Sequence, residues 1–107
     1  MEKNLNECIK TFEECIRACE KCAFECCAQK GKDYADCLKA CVTCSQICSL
    51  CTQLCARNDK LAKDIMMLCA KACELCATEC EKHSDELCKQ CAKACHECAK
   101  VCESCCK

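Results

Sequence analysis

The sequence predicts an all-α fold, an antiparallel up-down-up-down four-helix bundle with a cysteine-lined core. Three observations carry that expectation. Cysteines recur at alternating intervals of three and four, as in CLKACVTCSQICSLCTQLC from Cys37 to Cys55, and this spacing keeps side chains on one helical face. Proline is absent and glycine occurs once, so little interrupts a helix. The pattern pauses at only three short places, and short connections between long helices make antiparallel neighbours. At 107 residues the chain suits one domain spanning 1–107, with a single modest core.

The first helix is expected over residues 4–29, with Leu5, Cys8, Phe12, Cys15, Cys19, Cys22 and Cys26 on its inner seam. Gly31 in KGKD suits the position just past a helix end, and Asp33 is a good N-cap for the second helix, 34–57. Its seam is Tyr34, Cys37, Cys41, Cys44, Cys48, Cys51 and Cys55. Asn58 or Asp59 can cap a third helix over 60–82, whose seam runs Ala62, Met66, Cys69, Cys73, Cys76, Cys80 and His83. Ser84 can cap a fourth over 85–106, with Cys88, Cys91, Cys95, Cys98, Cys102 and Cys105 on its seam and Asp85 and Glu86 in its first turn. Of the 23 cysteines, only Cys27 and Cys106 fall off these seams. Ile9, Ile16, Val42, Ile47, Leu50, Leu54, Leu61, Leu68, Leu75 and Val101 flank them, where they can seal helix contacts or form an oligomer face.

Composition narrows the function. Two Phe, one Tyr and no Trp leave an ordinary apolar core short of large side chains, and 21 seam cysteines used only as small hydrophobes would underfill it. Sixteen basic and 17 acidic residues are interleaved, which with so few aromatics gives no footprint for nucleic acid. No apolar run reaches membrane-spanning length and the N-terminus has no secretory apolar region, so a cytoplasmic protein is expected. A reducing cytosol keeps thiols unpaired, which turns the reading from a disulfide scaffold towards metal or redox chemistry.

Among metals, charge discriminates. Zinc in all-thiolate sites takes about four sulfurs and leaves a double negative charge at each, roughly five or six such centres here, and no Lys or Arg lies on a seam to offset them. Cu(I) is monovalent and soft; at one ion per thiolate, with sulfurs bridging, the core is nearly neutral. Pairs one turn apart, such as Cys15/Cys19 and Cys91/Cys95, can grip one ion while an opposing helix completes it. The Glu-x-x-His of di-iron bundles and the CxxCH of haem attachment are both missing. A thiol redox buffer or peroxide-reactive protein needs a low-pKa thiol beside a cation, so that rival and a zinc buffer stand as alternatives to a non-enzymatic Cu(I) store.

Antiparallel threading makes the two ends unlike. Cys26, Cys27, Tyr34, Cys37, Cys80, His83 and Cys88 gather at one, a polar mouth; Leu5, Phe12, Met66, Leu61 and Ile65 gather at the other, a plug. His83 can supply a nitrogen ligand or interact with the helix C-terminal dipole. His96, one residue off its seam, is expected in solvent.

The chain resembles the cytosolic class of bacterial copper storage proteins. The likeness rests on the CxxxC pairs and is densest in CAKACELCATECEKHSDELCKQCAKACHECAKVC, residues 69 to 102. It implies Cu(I) held in many thiolate sites, often in a tetramer of bundles, with the seam cysteines as ligands and His83 as the mouth histidine. Copper-delivery proteins or small-molecule ligands are the partners it implies. Where family members often carry a second histidine before the first cysteine of the last helix, this chain has Leu87, and Leu5 and Phe12 shorten the thiol lining of the first helix.

Overall fold

Three of the four segments are rich in Ala, Lys and Glu, strong helix formers, the second having one Lys and no Glu, and each carries one stripe that must leave water. The computed structural model, which describes residues 5–105, resolves them as α1 (Leu5–Glu25), α2 (Ala35–Ala56), α3 (Ala62–Cys80) and α4 (Glu86–Cys105). Each helix packs along two others: α1 against α2 and α4, α3 against α2 and α4. The result is a square antiparallel bundle measuring 44 × 19 × 18 Å. Among the described residues, no helix is long and apolar enough to cross a membrane.

The ends of the helices differ from the sequence expectation in instructive ways. α1 stops at Glu25, and the chain tightens into a 3-10 turn over Cys27–Gln29, with Gln29 N–H donating to the Cys26 carbonyl at 3.1 Å and Lys30 N–H to that of Cys27 at 3.1 Å. Gly31 follows Lys30, the C-cap of that turn, and so takes a C′ position with φ +89°, as its sequence suits, though of a 3-10 turn rather than of α1; it leads into a second 3-10 turn, Lys32–Tyr34, which contains Asp33. Tyr34 precedes α2, with no side-chain cap.

Asn58 ends α2 instead of starting α3. With φ +50° it takes the left-handed C′ place of a Schellman motif: its N–H donates to the Cys55 carbonyl at 3.1 Å and the Asp59 N–H to that of Leu54 at 2.9 Å. Asp59 Oδ1 then accepts from the Leu61 N–H at 2.9 Å, so Asp59 organises the approach to α3 from two residues further back than a direct cap. That amide and Arg57 hold its carboxyl below the usual range. Ser84 lies outside α4, whose Lys89 amide reaches the Asp85 carbonyl at 3.0 Å.

The core is the predicted one. Cysteines fill the axis, and Ala23, Ala70, Ala77, Ala92 and Ala99 are buried between helices, small enough to let the backbones close on the sulfur column. Phe12, Met66 and Ile65 are buried at the plug end. Ile9, Ile16, Val42, Ile47 and Val101 pack partly buried beside the core, and Leu54 is buried. Leu61 departs from expectation: at 57% exposed it belongs to the outside of the bundle, because α3 begins only at Ala62 and turns its first inward residue one position later. Leu68 and Leu75, one and two heptads on, are exposed with it. The Leu5 side chain and Cys106 lie outside what the structure describes.

Candidate metal centre

The 3-4 alternation has a geometric consequence: in antiparallel helices of equal pitch, seam residues arrive at common heights. Cys15, Cys44, Cys73 and Cys95 come one from each helix, and the Cys15 sulfur lies 3.9 Å from Cys44, 4.0 Å from Cys73 and 3.8 Å from Cys95. One level towards the mouth, Cys91 Sγ is 3.7 Å from Cys19 and 3.9 Å from both Cys41 and Cys76. At the next level Cys37 and Cys80 are 3.6 Å apart, and Cys22 and Cys88 are 3.7 Å apart. Towards the plug, Cys48 and Cys69 meet at 3.5 Å, and by the same register Phe12 falls level with them and Cys98.

Levels also join along the axis. Cys15 to Cys19, Cys44 to Cys48 and Cys69 to Cys73 are each 4.0 Å. The sulfurs thus form one continuous column rather than separate knuckles. Groups of four within 4.8 Å of one another overlap by shared members, as Cys15/Cys19/Cys44/Cys95 overlaps Cys19/Cys76/Cys91/Cys95 through Cys19 and Cys95.

Every predicted seam cysteine from Cys8 to Cys102 is buried, including Cys51 and Cys55. Cys27, which the helical pattern leaves off the seam, is buried too: the 3-10 turn swings it inward, 3.8 Å from Cys22 and into a group with Cys22, Cys37 and Cys88. Cys8, at the start of α1, and Cys105, at the end of α4, bring their sulfurs into contact at the plug end. Antiparallel threading of helices ninety-seven residues apart in sequence brings this pair face to face.

The column resists full ionisation without a metal. Burial pushes the Cys27 thiol up to about 12. Cys15, accepting S–H donors first from Cys19 and then from Cys44, is held low, while Cys19 is raised, first by Cys15 and also by burial. Crowded, buried thiols cannot all lose their protons together. Among the described residues the only buried polar or charged side chain is Ser45, which donates to Glu20 Oε2 at 3.1 Å on the α1/α2 border. No cation lines the column.

The mouth is organised by residues whose connection the seams did not reveal. Tyr34 and His83 stack, ring centroids 3.8 Å apart and planes at 17°. The Tyr34 hydroxyl donates to Asp85 Oδ1 at 2.6 Å, and Lys30 Nζ lies 3.3 Å from Asp85 Oδ2. Asp85 pushes the tyrosine up to about 12, and the hydroxyl in turn holds the Asp85 carboxyl low. A signal existed: Tyr34 and His83 are both terminal seam residues at the same end. His96 is exposed, as expected, and pairs with Glu81 at 2.8 Å.

Sulfurs 3.5 to 4.0 Å apart, in overlapping groups, inside a bundle with no buried base or cation, define a thiol-lined metal-holding helical bundle. The chain belongs to the copper storage protein family, whose model matches residues 1–107. It is similar to the Cu(I)-bound copper storage protein BsCsp3, with 34% identity over 95% of this chain and 97% of that one and a TM-score of 0.90. The apo copper storage protein 3 from Bacillus subtilis is likewise 34% identical over 97% and 100% of the two chains, with a TM-score of 0.91. A Nitrosospira multiformis protein, Nmul_A1745, is 27% identical over 95% and 94%, with a TM-score of 0.86. Among curated proteins none matches the chain.

Proposed function

We propose that residues 1–107 form a single storage domain that sequesters many Cu(I) ions on the thiolates of its column. The observation that carries this is the continuity of the sulfur network together with the absence, among the described residues, of any buried cation. Distances alone accept zinc as well, since a tetrahedral site with Zn–S near 2.3 Å spans about 3.8 Å between sulfurs. Charge decides: one Cu⁺ for each S⁻ neutralises the core, whereas a column of dianionic zinc sites would be buried without compensation. The Cu(I)-bound relative supports the same choice. The ligands are the seam cysteines, Cys8 and Cys105 among them, with Cys27, Cys106 and, at the mouth, His83. Nothing in this role needs catalysis, and unpaired thiols in such number fit the cytoplasm.

Anaerobic titration of the fully reduced protein against a colorimetric Cu(I) chelator tests it. Uptake of more than about ten Cu(I) ions per chain is expected, because bridging sulfurs serve two ions each. Saturation at a few copper ions, or preference for about five zinc ions, sinks the storage reading, and metal-free turnover of peroxide would favour the redox alternative.

The exposed stripe of Leu61, Leu68 and Leu75, with Met67 beside it, supports self-association, for which the resemblance supplies a tetramer. Leucines at heptad spacing on one helix make a continuous apolar ridge. Sedimentation of Leu68→Glu/Leu75→Glu should show dissociation to smaller species with unchanged copper capacity; an unaltered mass would place the interface elsewhere. Delivery proteins or small-molecule copper ligands would exchange ions at the mouth.

A further inference from the structure

The inner thiols at the mouth end are sealed. Cys22, Cys37, Cys88 and Cys27 are between 0% and 2% exposed, although a store must pass ions to and from solvent. What stands over them is not a helix but a contact between two connections. The α1–α2 connection supplies Tyr34 and Lys30, and the α3–α4 connection supplies His83 and Asp85.

We propose that Tyr34 is the lid of the copper tube: its ring, stacked on His83, closes the mouth, and its hydroxyl, bonded to Asp85, is the latch. The inference rests on the storage reading. Tyr34 ends its seam in the position that every other inward level of α2 gives to cysteine, so it occupies the axis where the column meets solvent. It is half-buried, packed against the core cluster to which Cys26, Cys37 and Cys88 belong. Its attachment runs through one carboxylate, which Tyr34 holds at 2.6 Å and Lys30 at 3.3 Å.

Such a clasp suits opening better than it suits holding the fold together. Tyr34 closes the 3-10 turn before α2 and Asp85 stands just ahead of α4, so the latch can open by side-chain rotation with both helices left wound. The latch is polar and at the water boundary, so solvent can replace its hydrogen bonds when it opens. The stack performs a second task. Among the described residues neither ring nitrogen of His83 has a hydrogen-bond partner, and a ring held flat against Tyr34 keeps both nitrogens at its edge, available to an arriving soft ion. Tyr34 is therefore a positioning residue for His83 as well as a cover.

Two variants separate latch from packing. Tyr34→Phe keeps the ring and its stack but removes the hydroxyl; Asp85→Asn keeps size while losing the charge that Lys30 and the hydroxyl bind. Both, loaded with Cu(I), are challenged with excess colorimetric chelator, and the rate and total of copper extracted are compared with the unmodified protein. Losing a charge-assisted hydrogen bond shifts an open–closed balance about tenfold, so extraction should quicken by about that factor while total copper and the helical circular dichroism stay the same. Rates equal to or slower than the unmodified protein overturn the lid. Faster extraction accompanied by reduced capacity or melted helix also overturns it, since that is general loosening. If the unmodified protein itself holds only a few ions, the storage reading has failed and the lid falls with it. If it holds many and the rates match, only the lid has failed.

Discussion

Phe12→Ala costs the apo protein about 3–5 kcal/mol, the usual range for deleting a fully buried aromatic, and lowers its urea midpoint without changing the slope. Phe12 is 0% exposed and falls level with Cys48, Cys69 and Cys98, where its ring fills an axis that sulfur alone would leave thin. The residues on its level are cysteines, each too small to fill the gap. Against the 5–15 kcal/mol that typically stabilises a domain, the loss approaches the whole. Phe24→Ala is the control: at 59% exposed it should change stability by no more than about 0.5 kcal/mol. Copper binding should restore much of the deficit, because ions that bind only the folded column stabilise it by mass action. A cost below about 1 kcal/mol would remove Phe12 from the plug.

The second large effect is alkaline. The Cys27 thiol, ordinarily at 9.0, is pushed up to about 12 in the folded protein by burial, and the Cys19 and Cys95 thiols are raised too, each first by hydrogen bonding with Cys15 and then by burial. A raised acid keeps in the folded state a proton that the unfolded chain releases. Its contribution to stability is complete below pH 9.0 and is lost as pH climbs towards about 12. Melting temperatures of the reduced apo protein should therefore hold from neutrality to about pH 9 and fall steeply above it. Asp85 and Asp59, with carboxyls held low, act in the opposite sense, their contributions fading only as pH drops into the acid range. The copper-loaded protein should show no alkaline loss, since its sulfurs have already surrendered their protons to the metal; acid instead competes for its ligands. An apo protein that melts at the same temperature at neutral pH and about pH 11 would contradict the buried-thiol argument.

Most of the architecture was legible because one signal served twice. The 3-4 recurrence of cysteine fixes a helix and marks its inner face, so the seams and the burial of Cys15, Cys44, Cys73 and Cys95 followed together. Connections were harder, being set by local hydrogen bonds that no period encodes. Cys27 looked misplaced because the pattern assumes a helix through residue 29, while the chain leaves it at Glu25. Asn58 has the same chemistry for starting a helix as for ending one, and only its left-handed backbone decides. Leu61, a flanking residue, was expected beside the plug or on an outer face, and spacing could not choose between them; it is exposed. Tyr34 to Asp85 bridges 51 residues, and the Cys8–Cys105 sulfur contact bridges 97. Both required the seams to be set side by side in register, not read singly.

A column reached from one end only, with Phe12, Ile65 and Met66 packed towards the other, imposes an order on its contents. With shared sulfurs between neighbouring levels, an ion moves by exchanging one thiolate at a time, and it cannot overtake the ion ahead of it. On the proposed storage role the store would behave as a stack: the copper acquired last would leave first, while the earliest arrivals, deepest towards the plug, would form a reserve reached only when everything nearer the mouth has gone.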